Sequence, residues 1–353
     1  MKIAILFDGA SALGKSADVL ILETLEAIEG ILQAEGNSIT RVPAYADGRW
    51  VDRLRRGRFD LVFNMCEGID GDATLEPAVI SALEASGIPF TGNASWTAAL
   101  CLRKHIVNAV LQNAGLPIPP YAVVRRGDRV PAVGFPAICK PAAEDASIGV
   151  EQRSVVRSVR ALAARVNAMH ARWNEVLVQR FIDGREVNVG ILGDQILPVA
   201  EIRFDGMPKR MWRIVSYRSK WETGSDEDAG AQPVCPADLP PELTSEIGEI
   251  ALAAWTLVGG RSYGRVDLRI DGEGRPWILE VNANPDIAPD AGLARMAGVA
   301  GVDYGALIRA VCEDARVHRD VPTDDRWALA ARLSGVAPQI ADGALDLFAA
   351  GDR

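Results

Sequence analysis

Residues 265–286 read RVDLRIDGEGRPWILEVNANPD, two apolar runs that carry acids where a buried strand ordinarily has none. Asp267 lies in the first run, Glu280 and Asn282 in the second, and DGEGRP separates them. The alternation of YGRVDLRI and PWILEVN is strand-like, and Asp271-Gly272 with Gly274 and Pro276 is strong turn punctuation. The stretch therefore reads as a β-hairpin. Glu280 and Asn282 are two residues apart and share a face, which Asp267 reaches from the facing strand. Two carboxylates and an amide carbonyl on a rigid sheet make a hard-oxygen set. That set suits Mg²⁺, which keeps some waters and takes further ligands from substrate phosphates. A competing reading makes Asp267 and Glu280 cross-strand partners of Arg265 or Arg269 on a solvated face. The hairpin alone leaves both open.

The chain has 353 residues, too many for one ordinary domain, so two or three are expected. A hydrophobic content of 48% is ample for real cores. The net charge of −9, with no basic run and no interleaved aromatic patch, excludes nucleic acid as an expected partner. Cys66, Cys101, Cys139, Cys235 and Cys312 are scattered, odd in number and without CxxC spacing. That argues against a disulfide framework or a zinc site and for a reducing compartment. MKIAILFD is too short for a signal segment or a membrane span. A cytoplasmic protein with no membrane partner is expected.

KIAILFD reads as a buried strand, followed by a Gly/Ser-rich loop and an amphipathic helix over about 17–35. FDLVFNM (59–65) is a second buried strand, ATLEPAVISALEASG a helix ending at Gly87, and IPFTG a third strand. Such alternation implies a parallel, helix-covered sheet. TAALCLRKHIVNAVLQNAG reads as one helix, FPAICKPA as a strand, and EDASIGV as a small polar loop. A helix near 154–169, the strand EVLVQRFI, a hairpin of REVNVGIL with QILPVAEIRF, and a strand WRIVSY follow. Residues 218–235 are charged and Gly-rich and read as a mobile loop, and 243–258 as a helix. In the tail, Trp327, Leu329, Leu333, Leu345 and Leu347 suggest one or two helices with apolar faces. Such faces need covering, by the protein itself or by a second subunit in a homodimer.

Gly9 to Ser16, GASALGKS, matches the phosphate-loop pattern G-x-x-x-x-G-K-[ST] between a strand and a helix. A phosphate-loop NTPase should follow it with an apolar strand ending in an Asp that holds Mg²⁺. The candidate, DLVFNM, ends near Asn64 instead. A Gly-rich loop after a first strand also serves any α/β domain that binds an anion at a helix N-terminus.

Three lysines stand out. Lys104 lies on a helix, Lys220 in the charged segment, and Lys140 directly after the apolar run AIC. Any one of them alone is ordinarily a solvated surface group, but a charge ending an apolar strand suggests use. The loop after Lys140 offers backbone N–H groups and the Ser147 hydroxyl to a phosphate. Glu186, beside apolar VNVGIL, is placed to hydrogen-bond a ribose.

Several stretches now run in a recognisable order: GIPFTGNASWTAALCLRKH, AGLPIPPY, FPAICKPAAEDASIGV, VLVQRFIDGREVNVGILGDQILPVAEI, YRSKW and the opening hairpin. From about residue 2 to 312 the chain resembles the ATP-grasp carboxylate–amine ligases, and among them the D-alanine–D-alanine ligases. The resemblance implies an α/β fold of the α+β ATP-grasp kind. Its implied parts are an N-terminal parallel α/β substrate-binding domain over 1–96 and a central ATP-grasp subdomain over 97–184. A C-terminal ATP-grasp subdomain carrying the metal site follows over 185–320, with a helical tail over 321–353.

By the same resemblance Lys104 and Lys140 grip the phosphates of ATP while the 141–149 loop with Ser147 closes over them. Gln179, Phe181 and Ile182 form the hinge facing adenine, although the family usually has an acid where Gln179 stands. Glu186 binds ribose and Lys220 reaches the terminal phosphate. Asp267, Glu280 and Asn282 hold two Mg²⁺ ions, with Mn²⁺ as a substitute, and Arg265 stabilises the oxyanion. The implied reaction joins a small-molecule carboxylate to an amine through an acyl phosphate.

The substrate half departs from the family. Lys15 stands where the dipeptide ligases usually carry a glutamate for the first substrate's ammonium. Ala146 replaces a serine and Trp221 a tyrosine in the set linked to it. Ala291 lies near the place of a serine that holds the second carboxylate, and Glu67 stands where a histidine is usual. A charge reversal at 4 Å is worth about 4 kcal/mol at an effective dielectric near 20, more than a lost hydroxyl. Lys15 and Glu67 are therefore the expected substrate-selecting residues. The expected function is a ligase of this type acting on amino-acid or peptide-like substrates. The alternatives are an authentic D-alanine–D-alanine ligase of peptidoglycan synthesis, a phosphate-loop NTPase using 9–16, and a non-catalytic nucleotide-binding module.

Overall fold

The computed structural model describes residues 1–10 and 16–317. Lys15, most of the phosphate-loop match and the expected tail helices with their dimer contact lie outside the described residues.

β1 (Lys2–Asp8), β2 (Ser38–Ala44) and β3 (Leu61–Asn64) form a parallel sheet ordered β2-β1-β3. β1 is buried from Ile3 to Phe7 because both of its faces are covered. Ile3 and Ile5 pack with Leu25, Ile28 and Leu32 of α1 (Ser16–Ala34). Ala4 and Leu6 pack with Trp50 and Leu54 of α2 (Arg49–Gly57) and with Ile80 and Leu83 of α3 (Glu76–Ser86). The sequence reading has no counterpart for β2 or α2. As an edge strand, β2 exposes much of SITRVPA and so lacks an apolar run.

The expected third strand at IPFTG reduces to a single bridge between Val62 and Phe90. Pro89 offers no N–H, and Gly92, at φ +92°, turns the chain away into α4 (Ser95–Leu102). The single helix expected from Thr97 to Gly115 is two. It breaks at Arg103, whose φ −96° and ψ 77° are not helical, and α5 (Lys104–Asn113) starts afresh. The Lys104 N–H then reaches the Ala142 carbonyl at 3.2 Å, a tertiary contact with no local sequence signal.

The second sheet is antiparallel and ordered β4-β7-β5-β6. Its strands are β4 (Tyr121–Arg125), β5 (Ala137–Pro141), β6 (Val155–Val156) and β7 (Glu175–Arg180), with α6 (Val159–Met169) packed on it.

The third sheet runs β11-β10-β8-β12-β13, with β9 paired to β8. Its strands are β8 (Arg185–Leu192), β9 (Gln195–Ile196), β10 (Ala200–Arg203), β11 (Gln232–Val234), β12 (Tyr263–Ile270) and β13 (Pro276–Ala283). WRIVSY is not a strand, and the segment read as a mobile loop forms α7 (Tyr217–Trp221), α8 (Asp226–Gly230) and β11. Ser216 and Ser225 cap the two short helices, accepting from the backbone of Ser219 and Asp228. Glu227, 3% exposed, anchors the segment by accepting from Ser216 and from Gln152. α9 (Pro241–Leu257) covers the sheet's apolar face, and α10 (Gly292–Val299) and α11 (Tyr304–Val317) are the last of the described elements.

All five cysteines are free. Burial pushes the thiols of Cys66, Cys101, Cys139 and Cys312 up to about 12, so they stay inert. Among the described residues no helix is long and apolar enough to cross a membrane.

Candidate active site

The hairpin forms as the sequence implies, with one irregularity. Asp267 pairs with Glu280 but Leu268 pairs with Ile278, leaving Leu279 as a bulge. The bulge keeps Glu280 and Asn282 opposite Asp267 and Arg265 while turning Leu279 toward the same cleft. The registers of β8, β12 and β13 then set residues abreast across three strands: Asn188, Asp267 and Glu280 in one row, Gly190, Arg265 and Asn282 in the next. A Cβ at Gly190 would come within 2.9 Å of Met296, so glycine there lets α10 settle onto β8.

These rows form one wall of a cleft of about 480 Å³ between the second and third sheets, a size typical of nucleotide and cofactor sites. Lys140, Gln179, Phe181 and Ile182 line it from the second sheet and its exit, and Ser147 and Lys220 from the loops above. The ion-pair reading of the opening acids holds for Asp267 with Arg265, its neighbour two residues away on the same strand, while Glu280 finds Lys104 instead. The acids are ion-paired, but toward the cleft and not toward a solvated outer face. Arg265 grips Asp267 with two hydrogen bonds of 2.7 and 2.9 Å, and Asn188 and Asn282 donate to the same carboxylate at 2.7 and 2.9 Å. Because Asn282 spends its N–H₂ on Asp267, its carbonyl oxygen is left to accept or to ligate. Glu280 pairs with Lys104, which is 8% exposed. Burial opposes the Lys104 charge, yet Glu280 and Asp145 outweigh it and raise the lysine above its ordinary value.

Lys140 differs. It has no hydrogen bond or ion pair to any described residue, although it faces the cleft. Burial holds it below the ordinary lysine value, with Lys104 and Arg269 acting the same way and Glu280 and Glu186 against. The buried Gln179, 1% exposed, likewise leaves its side-chain N–H₂ without an acceptor. A lone cation and an unmet donor in one cleft are the features an anionic, nitrogen-rich ligand would satisfy.

Glu186 accepts from Arg269 through one oxygen at 2.7 and 3.1 Å, leaving its other oxygen toward the cleft. Arg269, 2% exposed, also donates to the carbonyls of Ile182 and Arg213 and lies over the rings of Phe181 and Phe204. It thus fixes the hinge and the ribose-side acid together. The sequence reading missed this role, as it missed Asn188, although Asn188 lies two residues from Glu186 on one strand face. Asp145 was missed too. Burial works against its charge, but Lys104, its own loop's Ala146 N–H, Lys220 and Arg265 hold it below the usual carboxylate range.

Above the cleft, Ser147 donates to the Val215 carbonyl at 3.1 Å, with Ala146 and Ser147 both at positive φ. Lys220 is exposed on α7, its Nζ 5.4 Å from the Trp221 ring centroid. Glu67 stands apart from this lining, on the loop after β3.

A family model described as D-ala D-ala ligase C-terminus matches residues 110–313. The chain belongs to the D-alanine–D-alanine ligase family. A D-alanine–D-alanine ligase of Chelativorans sp. is 33% identical over 300 residues, covering 82% of this chain and 90% of that one. One of Citrifermentans bemidjiense is 31% identical over 315 residues, covering 89% and 96%. An uncharacterized protein of Sinorhizobium fredii is 31% identical over 264 residues, covering 72% and 74%. The fold matches a crystal structure of a Bacillus anthracis D-alanine–D-alanine ligase complexed with ATP at TM-score 0.74 and 20% identity, over 90% of this chain and 98% of that one. The chain is an ATP-grasp enzyme of the C–N-bond-forming ligase class. The phosphate-loop reading of 9–16 is thereby set aside, because the match runs through the second and third sheets and not through the N-terminal loop.

Proposed function

We propose that this ligase activates an amino-acid or peptide-like carboxylate with ATP and Mg²⁺ and joins it to an amine. The observation that carries the reading is Lys140, a cation without a partner, facing the Asp267–Glu280 pair across one cleft. Lys140 and Lys104 would hold the ATP phosphates, Gln179 a ring nitrogen of adenine, and the open oxygen of Glu186 a ribose hydroxyl. The donor set fits a hard divalent cation: two carboxylates and the Asn282 carbonyl oxygen, abreast on paired strands. Bound there, Mg²⁺ would neutralise phosphate charge and fix the phosphate oxygens in line.

The substrate carboxylate attacks the γ-phosphoryl group, ADP leaves, and an acyl phosphate forms. The amine then attacks the acyl carbon, phosphate departs, and the amine's proton is lost. Arg265, held by Asp267, is placed to stabilise the oxyanion of that step. The 141–149 loop and α7 would keep water from the acyl phosphate.

The dipeptide-forming relatives favour D-alanine as a second reading of the substrate. Ala291, at the cap of α10 with no side-chain hydrogen bond, argues for a different amine substrate. The test is ADP release on mixing the protein with ATP, Mg²⁺ and a panel of amino acids and dipeptides. Acceptor-dependent ADP release supports the ligase, and its absence with every acceptor overturns it.

A further inference from the structure

Strand alternation sets which side of β7 looks into the cleft. Val176 and Val178 pack in the core beneath α6, so Leu177 and Gln179 turn the other way. On neighbouring β5, Ala137 and Cys139 belong to that same core, whereas Ile138 and Lys140 line the cleft. Ile138 is the register partner of Gln179, and Lys140 that of Leu177. Gln179 thus shares the face that carries the unpartnered lysine, two residues nearer the hinge.

Here the cleft narrows to an apolar slot. Ile138, Val150, Phe181 and Ile214 pack in one cluster and all four line the cleft, with the Trp212 ring edge-on to Phe181 at 5.3 Å. Gln179, 1% exposed, brings a neutral polar side chain to this slot, and its N–H₂ has no acceptor among the described residues. Three main-chain groups beside it are already committed. The Arg180 and Phe181 N–H groups donate to the Pro120 and Pro136 carbonyls at 2.8 and 2.9 Å, and the Ile182 carbonyl accepts from Arg269 at 2.8 Å. A buried amide left unmet on a cleft wall marks a place that a ligand completes.

We propose that Gln179 reads position 6 of the purine and admits 6-amino and 6-oxo bases alike, so that a 6-oxopurine nucleoside triphosphate can replace ATP as the phosphoryl donor. This rests on the reading of the cleft as the nucleotide site. The edge of adenine offers an amino donor beside the N1 acceptor, and a 6-oxopurine an oxygen acceptor beside an N1–H donor. A glutamine amide carries one donor group and one acceptor, and a half-turn about its last bond exchanges them without changing its shape. It therefore matches either edge. An ionised carboxylate in the same place only accepts, and would oppose the 6-oxo oxygen. The apolar slot holds both ring systems equally, since they differ at that edge alone.

The test measures binding without an acceptor and without turnover. ATP, inosine triphosphate and purine riboside triphosphate, which has only hydrogen at position 6, are titrated calorimetrically with Mg²⁺ into the full chain and into Gln179→Leu. Inosine triphosphate should bind the wild type within about tenfold of ATP. The substitution should weaken these two by about tenfold each and the riboside triphosphate by about threefold, because the latter has one hydrogen bond to lose instead of two. Without nucleotide the variant should melt at the same temperature or higher, since an unmet buried donor is gone, and this shows that it folds. A larger preference of the wild type for ATP overturns the proposal. An equal loss of all three nucleotides in the variant also overturns it, because a merely structural glutamine would give that result. Failure of ATP itself to bind would instead remove the reading of the cleft on which the proposal rests.

Discussion

The Trp221 indole N–H donates to the Ala146 carbonyl at 3.0 Å, joining α7 to the loop that follows β5. Side chains usual in the family at both positions are absent, yet the two segments are still bound, through the main chain of one of them. Ser147 and Tyr217 add parallel ties, to the Val215 and Val150 backbone. The two covers of the cleft are therefore fastened to each other and should move as one.

Trp221→Phe keeps an aromatic ring and removes the donor. One neutral hydrogen bond contributes about 1 kcal/mol, so KM for ATP should rise about fivefold. Trp221 is 38% exposed, so melting temperature should hardly move. Steady-state kinetics with a melting curve checks both, and an unchanged KM would show that the tie does not hold the lid.

Lys140→Met retains most of the stem and removes a charge with no hydrogen bond or ion pair to any described residue. Nucleotide affinity should fall by about tenfold or more. Stability without nucleotide should hold or rise, since a half-buried lone charge is lost. Titration of ATP by fluorescence, beside thermal melts, reads both. A variant that binds ATP normally would remove the central support for the site.

Glu280→Gln keeps a hydrogen-bonding side chain but withdraws one of two carboxylates from the candidate metal set. Turnover should fall by about 100-fold or more, and the remaining activity should need more Mg²⁺. Chelation of divalent ions should silence the wild type. Unaltered Mg²⁺ dependence in the variant would show that Glu280 is no ligand.

Arg269→Met leaves Glu186 largely buried without its partner and strips a donor from the Ile182 and Arg213 carbonyls. Breaking a buried pair on one side costs about 3–5 kcal/mol, so denaturant unfolding should register a large loss. A loss below about 1 kcal/mol would mean that water replaces the guanidinium.

Glu76 gives a pH signature of defined sign. Burial lifts its carboxyl from 4.5 in the unfolded chain to about 7 in the fold, against the Asn284 hydrogen bond. The folded state thus holds the extra proton, and the associated stability is full below 4.5 and lost as pH climbs through about 7. Glu76→Gln, which mimics the neutral form, should flatten the fall in melting temperature across that window. Parallel curves for the two proteins would show that Glu76 titrates normally.

Local chemistry was enough to read the hairpin of Asp267, Glu280 and Asn282. Strand alternation fixes which residues share a face, and Asp-Gly with Gly274 fixes the turn. The buried β1, the apolar run ending at Lys140 and the α1 and α9 helices were legible for the same reason, since each satisfies its own periodicity. The break at Arg103 was not, because no glycine or proline marks it. Only the Ala142 carbonyl, brought up by a different sheet, makes it favourable and aims Lys104 at Glu280. The Arg269 role and the tie of Glu76 to Asn284 depend likewise on strands and loops far apart in the chain. Sequence periodicity specifies the face a residue occupies. Which charge stands opposite it, and so what the site can bind, was decided by tertiary packing.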